Sequence, residues 1–309
     1  MGLVLLLSLL PGCSGAPTLP LISKPATKDL NALAAAKGLP GTIFLAAGKR
    51  IWRLRGGSLS PITPKGVNYA YPAVTADGTT TGAAQVESGQ SIIALGGPDF
   101  SSLRLARPPA RDPHNGSIDL KPSFSPNGNR IAFMSDRAKA YSDESIWEGT
   151  VSGGVHQASF PPDASGGDDS PMYLSDGSAI IFIAWRAGHA SLDRVSVPFG
   201  KPKPLLTAVD RDYLDPAPGP GDQLAYAQRQ GEVENIYVGA LDGTGARQLS
   251  NFNDARQPTW SPDGKELLFI SPHAGTFDLW MVPAAGGDAT QLTTGADLDA
   301  NSRPAWSGA

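Results

Sequence analysis

Gln257-Pro258-Thr259-Trp260-Ser261-Pro262-Asp263-Gly264, followed by the apolar run KELLFIS (265–271), is the stretch that decides the fold, because the sequence repeats it. Lys121-Pro122-Ser123-Phe124-Ser125-Pro126-Asn127-Gly128 leads into NRIAFMS, and Ser170-Pro171-Met172-Tyr173-Leu174-Ser175-Asp176-Gly177 leads into SAIIFIA. Looser copies open at Tyr71-Pro72 and Asp215-Pro216, and a sixth, Arg303-Pro304-Ala305-Trp306-Ser307, runs to the end of the sequence. The opening prolines at 72, 122, 171, 216, 258 and 304 are spaced 50, 49, 45, 42 and 46 residues apart. A period of this length holds four short strands and their turns, which is one blade of a propeller.

Each unit reads alike. A short strand follows the proline, then a tight turn in which Pro presets φ and Gly accepts positive φ. An apolar strand comes next, then a polar hairpin and a third strand such as Asp278-Leu279-Trp280-Met281-Val282. A Gly-rich turn leads to a last strand ending in Leu-Thr or Leu-Ser, as in Gln291-Leu292-Thr293 and Gln248-Leu249-Ser250. Helical spacing is absent from these units.

The two ends of the sequence complement each other. Thr42-Ile43-Phe44-Leu45 reads as a second strand, Ile51-Trp52-Arg53-Leu54 as a third, and Pro61-Ile62-Thr63 as the end of a fourth. Residues 42–63 therefore lack a first strand, and residues 304–307 supply one without the rest. Joining them closes the ring and removes its open edges. The expected fold is all-β, a six-bladed β-propeller closed by N-terminal strands pairing with the C-terminal strand.

The phrase PxWSPDG, the apolar strand, the polar hairpin and the terminal QLT together resemble the repeat of TolB-like six-bladed propellers (the WD40-like, TolB repeat family). The resemblance covers about residues 41–309. It implies protein partners within the bacterial envelope. TolB proteins also carry an α/β domain before the propeller, for which the roughly 27 residues between Cys13 and Gly41 leave no room, so the epitope of that domain is not carried over.

Residues 1–12 read as a lipoprotein-type signal peptide. Leu3 to Leu10 is too short to span a bilayer, and Leu10-Pro11-Gly12-Cys13-Ser14 resembles a lipobox, which implies lipidation of Cys13. Pro11 and the lack of a preceding Lys or Arg depart from the family pattern. An ordinary cleavage site near a small residue is the other reading. Cys13 is the one cysteine of the sequence, and an unpaired thiol outside the cytoplasm otherwise has no evident use. Residues 13–40 would then be a lipidated cysteine and flexible tether, extended by Pro17, Pro20 and Pro25, with a short helix from Asp29 to Lys37. The protein is expected outside the cytoplasm, anchored to the outer face of the cytoplasmic membrane or to an outer membrane.

A formal net charge of −4, without a Lys/Arg cluster, argues against nucleic acid as a partner. No HExxH, Cys–His zinc spacing, GxSxG or phosphate-binding glycine loop is present. The histidines, His114, His156, His189 and His273, fall at unrelated blade positions. One polar set does recur: Asn68, Asp119, Asp168, Asp212, Asp254 and Asn301 stand three or four residues before their prolines. On channel-lining first strands they would ring one mouth, as ligands for Ca²⁺ (Asp119, Asp168 and Asp254 being the candidate metal ligands) or for a cationic group of a partner. Alternatively they bond backbone amides in the turns that enter each strand.

Phe124, Tyr173, Trp260 and Trp306 on first strands, and Trp52, Trp147, Tyr237 and Trp280 on third strands, are expected in the inter-blade core. Trp185 lies outside that pattern, in a polar hairpin, and is the candidate surface contact. Two functions fit. One is a non-enzymatic, membrane-tethered scaffold recognising an envelope protein or cell-wall component through its loops and channel mouth. The other is a metal-dependent or degenerate propeller enzyme, hydrolase- or cyclase-like, using the same mouth.

Overall fold

A computed structural model of the protein describes residues 31–105, 118–137, 144–162 and 166–308. Six four-stranded antiparallel sheets stand in a ring. Blade 1 is Asn68–Val74, Thr81–Glu87, Gln90–Gly96 and Arg104–Leu105; blade 2 is Asp119–Phe124, Arg130–Ser135, Ser145–Thr150 and Val155–Gln157. Blade 3 is Asp168–Tyr173, Ala179–Arg186, His189–Ser196 and Lys203–Leu206; blade 4 is Asp212–Pro218, Gln223–Gln230, Val233–Ala240 and Arg247–Gln248. Blade 5 is Arg256–Trp260, Glu266–Ser271, Asp278–Pro283 and Thr290–Gln291. Blade 6 joins the two ends: Ala305–Ser307 pairs with Thr42–Ala47, and Arg50–Arg55 and Ser58–Pro61 complete it. In that closure Ile43 faces Trp306 and Phe44 faces Ala305.

Why the second strands carry unbroken apolar runs, rather than alternating, follows from the stacking. Each blade is covered on both faces by its neighbours, so both sets of side chains are buried. From Ala179 to Ala184 no residue exceeds 3% exposure. Leu267 to Ile270 in blade 5 is sealed to the same degree.

The recurring Ser-Pro-Asp-Gly turn is a local hydrogen-bond device. Ser261 Oγ donates to Asp263 Oδ1 at 2.7 Å while accepting from Glu266 N–H, and Asp263 Oδ1 also accepts from Lys265 N–H. Thr75 with Asp77, and Ser125 with Asn127, repeat it. These bonds hold the carboxyls of Asp77 and Asp263 below the ordinary range. Gly264 closes the turn at φ +71°, and a Cβ there would run into Pro220 Cγ of blade 4. The glycine therefore serves both the turn and the blade-to-blade approach.

The Leu-Thr and Leu-Ser endings have a physical reason too. Thr293 Oγ1 accepts from Leu279 N–H at 2.9 Å and donates to the buried Asp278 Oδ1 at 2.9 Å. Ser250 does the same with Ile236 N–H and Asn235 Oδ1. Thr63 and Ser159 accept from Ile51 and Ile146 N–H. At these points the fourth strand leaves the ladder, and the hydroxyl meets the donor that would otherwise be orphaned.

The first described residues are not a free tether. Asn31–Ala32 pairs with Thr293–Thr294, and a 3-10 helix over Ala34–Gly38 buries Ala36 against the closing blade. Trp306 Nε1 donates to Pro40 O at 2.9 Å. Apolar Leu33, Ala36 and Leu39 give this stretch something to bury, so docking begins at least ten residues before Gly41, where the sequence suggests the propeller starts. Cys13, the signal segment and His114 lie outside the described residues.

Candidate functional site

Each opening proline breaks its ladder, since it has no N–H to donate. The register of the first strand slips between Ala70 and Ala73, Asp169 and Met172, Leu214 and Ala217, and Arg256 and Thr259. In blade 2 the same irregularity lies between Leu120 and Ser123. The residue before the proline is left-handed in all five blades: Tyr71, Lys121, Ser170, Asp215 and Gln257 have φ from +49° to +55°. A non-glycine residue held there is strained, and such strain persists only when the surroundings over-determine it. These bulges and the strand halves beyond them frame a central cavity of about 220 Å³.

Its polar ring is Tyr71, Lys121, Ser170, Gln257, Asn301 and Arg303, and its apolar wall is Phe124, Met172, Trp260, Trp306 and the prolines. Lys121 Nζ donates to Asp169 Oδ2 at 2.6 Å and to Ser170 Oγ at 3.0 Å. Gln257 donates from Nε2 to Asp215 Oδ1 at 2.9 Å and from its backbone N–H to Oδ2 at 3.1 Å. Ser302 Oγ accepts from Tyr71 N–H at 2.7 Å, tying blade 1 to the segment before the closing strand. Burial pushes the Tyr71 phenol up to about 12, Lys121 opposing it. Burial likewise raises Asp299, which lies within electrostatic reach of Lys121 and Tyr71. Tyr71 is thus a neutral donor or acceptor at physiological pH.

The Asp and Asn residues expected at a channel mouth stand mostly outside this cavity. Of the six, Asn301 lines the cavity; Asn68, Asp119, Asp168, Asp212 and Asp254 do not. They sit at or beside the strand starts, and four of them face arginines. Asp119 takes both Nε and Nη2 of Arg137, and Asp168 Oδ1 lies 2.7 Å from Arg186 Nη2. Asp212 takes Arg229 at 2.7 Å, and Asp254 takes Arg256 Nε at 2.5 Å. Burial still pushes the Asp168 carboxyl up despite Arg186. At Asp212 the Ala190 N–H and Arg229 outweigh burial and hold the carboxyl down.

Among the described residues, no three of His, Cys, Asp and Glu come together as a cation site. The proposed calcium ligands Asp119, Asp168 and Asp254 are on three different blades, each engaged by its own guanidinium. The charge that would attract a cation is neutralised locally. One of the six does bond a backbone amide, Asp212 Oδ1 accepting Ala190 N–H at 2.9 Å, but that amide is on the third strand of the preceding blade rather than in the turn that enters its own strand.

The Arg partners escape a reading of the sequence because they lie 17 or 18 residues downstream, at or just past the end of the second strand in blades 2, 3 and 4. The recurrence of Arg137, Arg186 and Arg229 at that blade position is the available signal. Several of these arginines also stack on aromatic rings: Arg137 on Phe133 at 5.0 Å, Arg229 on Trp185 at 5.8 Å. Trp185, expected as a surface contact, is therefore half-buried under Arg229 and packed on the blade 3–4 core. The first-strand aromatics have two roles rather than one. Tyr173 is core, its hydroxyl donating to buried Glu148 Oε1 at 2.7 Å, whereas Phe124, Trp260 and Trp306 also wall the cavity. His156 and His189 lie beside Glu148 and Asp212, and His273 stacks on Phe252 at 4.1 Å.

Residues 162–309 match the model of the TolB beta propeller domain. The fold is a six-bladed propeller, TolB-like over residues 162–309. Over 74 residues the TolB-like sequence is 32% identical to the Tol-Pal system protein TolB of Rhizorhabdus wittichii, a match spanning 23% of this protein and 16% of that one. Its fold is similar to the crystal structure of TolB from Acinetobacter baumannii, with a TM-score of 0.68 and 19% identity over 86% of this protein and 66% of that one. A putative TolB from Agrobacterium tumefaciens gives 0.59 and 20%, over 72% and 83%. A Mycobacterium tuberculosis puromycin-hydrolyzing peptidase gives 0.58 and 16%, over 81% of this protein and 42% of that one. At such identities these structures speak to fold alone. Among the described residues no helix is long and apolar enough to cross a membrane.

Proposed function

We propose that the TolB-like protein is a non-enzymatic, extracytoplasmic binding module, held to a bacterial membrane through lipid on Cys13, that takes an envelope protein at the channel and its flanking loops. The observation that carries this reading is the cavity itself. All six blades line it, and four of them do so with the left-handed residue of the bulge itself, Tyr71, Lys121, Ser170 and Gln257, strain of the kind that clusters at binding sites. Its apolar wall supplies burial and its fixed polar ring supplies orientation, the combination found in recognition sites. The likeness to TolB favours a protein over a cell-wall component.

The test is co-purification from detergent-solubilised envelope with the full-length protein and with Met172→Trp, which fills the cavity from its wall. A protein captured by the wild type and lost with Met172→Trp supports the reading; equal capture by both refutes it. Capture of peptidoglycan fragments instead of a protein would move the partner to the cell wall. For the anchor, fatty-acid labelling should be lost in Cys13→Ser, and undiminished labelling would refute it.

A further inference from the structure

Sixth in the series of residues that precede the opening prolines is Arg303, and it differs from the other polar side chains of the series in how it is met. Lys121 is engaged by Asp169 and Ser170, and Gln257 by Asp215. Arg303 lines the same cavity, yet its Nε and Nη2 are out of reach of solvent and have no hydrogen-bond acceptor among the described residues. In four other arginines that edge of the guanidinium closes on a carboxylate: Arg130 on Glu148, Arg137 on Asp119, Arg229 on Asp212 and Arg256 on Asp254. The two acids that bear most on its charge, Asp215 and Asp169, are already committed to Gln257 and Lys121. Burial accordingly pulls the Arg303 guanidinium below its ordinary value, and those two acids only partly offset it. An uncompensated buried cation is costly and calls for an anion.

We infer that the channel cavity is a carboxylate-binding site in which Arg303 receives the carboxylate of an incoming peptide. The Nε/Nη2 edge offers two parallel N–H donors, the geometry that fits both oxygens of one carboxylate. Because that edge is buried, binding turns the guanidinium about its last torsions toward the cavity it lines. Trp260, Trp306, Phe124 and Met172 then receive an apolar neighbour of the carboxylate. Six first strands surround the cavity, so the ligand enters as a narrow, extended segment. Its carboxylate belongs either to an Asp or Glu side chain or to the C-terminal residue of the peptide. The inference rests on the reading of the channel as a binding site.

Titration of the full-length protein with sodium acetate, followed through the Arg Nε–H resonances by NMR, tests it. The resonance absent from Arg303→Lys should move saturably with acetate. Two peptides separate the sources: acetyl-Gly-Leu-Glu-amide carries a side-chain carboxylate, and acetyl-Gly-Gly-Leu a C-terminal one. At least one should bind ten-fold or more tighter than acetyl-Gly-Gly-Leu-amide, and Arg303→Gln should erase that difference while Arg303→Lys keeps part of it. An Arg303 resonance unmoved by acetate, or equal binding of acid and amide peptides to the wild type, would overturn the site. If Arg303→Gln does not fold, the wild-type resonance and the Arg303→Lys affinities decide. Failure here with intact Met172-dependent capture of an envelope protein would remove the carboxylate and leave the binding module standing.

Discussion

Trp306→Ala should open the ring at its seam. Trp306 is 9% exposed, sits opposite Ile43 in the closing sheet and packs in the cluster formed with Leu45, Leu268 and Leu292. Its indole N–H also holds Pro40 O at 2.9 Å, which positions the docked N-terminal stretch. Truncating a buried Trp to Ala costs about 3–5 kcal/mol, and the lost hydrogen bond adds about 1 kcal/mol. Because one edge of the indole faces the cavity, the lower end applies, about 3–4 kcal/mol. That is a large share of the ~5–15 kcal/mol by which folded domains exceed their unfolded states. Urea denaturation followed by tryptophan fluorescence and far-UV circular dichroism measures it. With m near 3 kcal/mol/M, the midpoint falls by roughly 1 M. Trp52→Ala, at a half-buried site in the same blade, should cost less. A Trp306→Ala protein within about 1 kcal/mol of wild type would refute the energetic closure by the C-terminal strand.

Thr293→Val leaves Leu279 N–H without its acceptor and takes one donor from buried Asp278, so it should cost about 1–3 kcal/mol by denaturant titration, with Thr293→Ser nearly neutral; a loss in Thr293→Ser with none in Thr293→Val would point to the methyl group instead. Gly264→Ala meets Pro220 and an unfavourable φ at once, and should lower stability by at least ~1 kcal/mol; an unchanged thermal midpoint would contradict it. Glu234 is pushed up to about 7 by burial and by Asp215, against Arg256 and Arg229. A carboxyl raised in the folded state binds its proton more tightly there than when unfolded. Its contribution to stability is therefore greatest below its unfolded value near 4.5 and falls as pH rises through 7. Glu234→Gln should gain on the wild type from pH 5 to pH 8, by about 1 kcal/mol or more; a variant that loses ground over that range contradicts the assignment. Calcium or EDTA should leave the thermal midpoint in place, since Asp119, Asp168 and Asp254 each face an arginine; a calcium-dependent rise would overturn that.

The blades are legible in the sequence because proline spacing, the Ser-Pro-Asp-Gly turn and the Leu-Thr ending each leave a fixed residue type at a fixed place. Closure is legible for the same reason, since residues 42–63 lack what 304–307 provide. The cavity ring is not legible. Tyr71, Lys121, Ser170, Gln257 and Arg303 share a blade position, not a chemistry, so their residue types do not repeat. What does mark them is the proline one position on, which forces the bulge. The Asp and Asn set stands out by its repetition, but repetition in a propeller first reports packing. Its carboxylates are paired across the blade with Arg137, Arg186 and Arg229, at a sequence distance that local patterns do not span. Residues 31–40 read as tether because their few apolar side chains look sparse until the groove beside Thr293 and Trp306 is in view.

The measurement that bears most directly on the central claim is photo-crosslinking in cells, with a photoreactive amino acid placed at Met172 in the cavity wall and, separately, at Lys203 on the exposed outer strand of blade 3. Recognition at the channel predicts one discrete envelope-protein adduct from position 172 and none from position 203. Adducts of the same protein from position 203 alone would place recognition on the outer rim and contradict it.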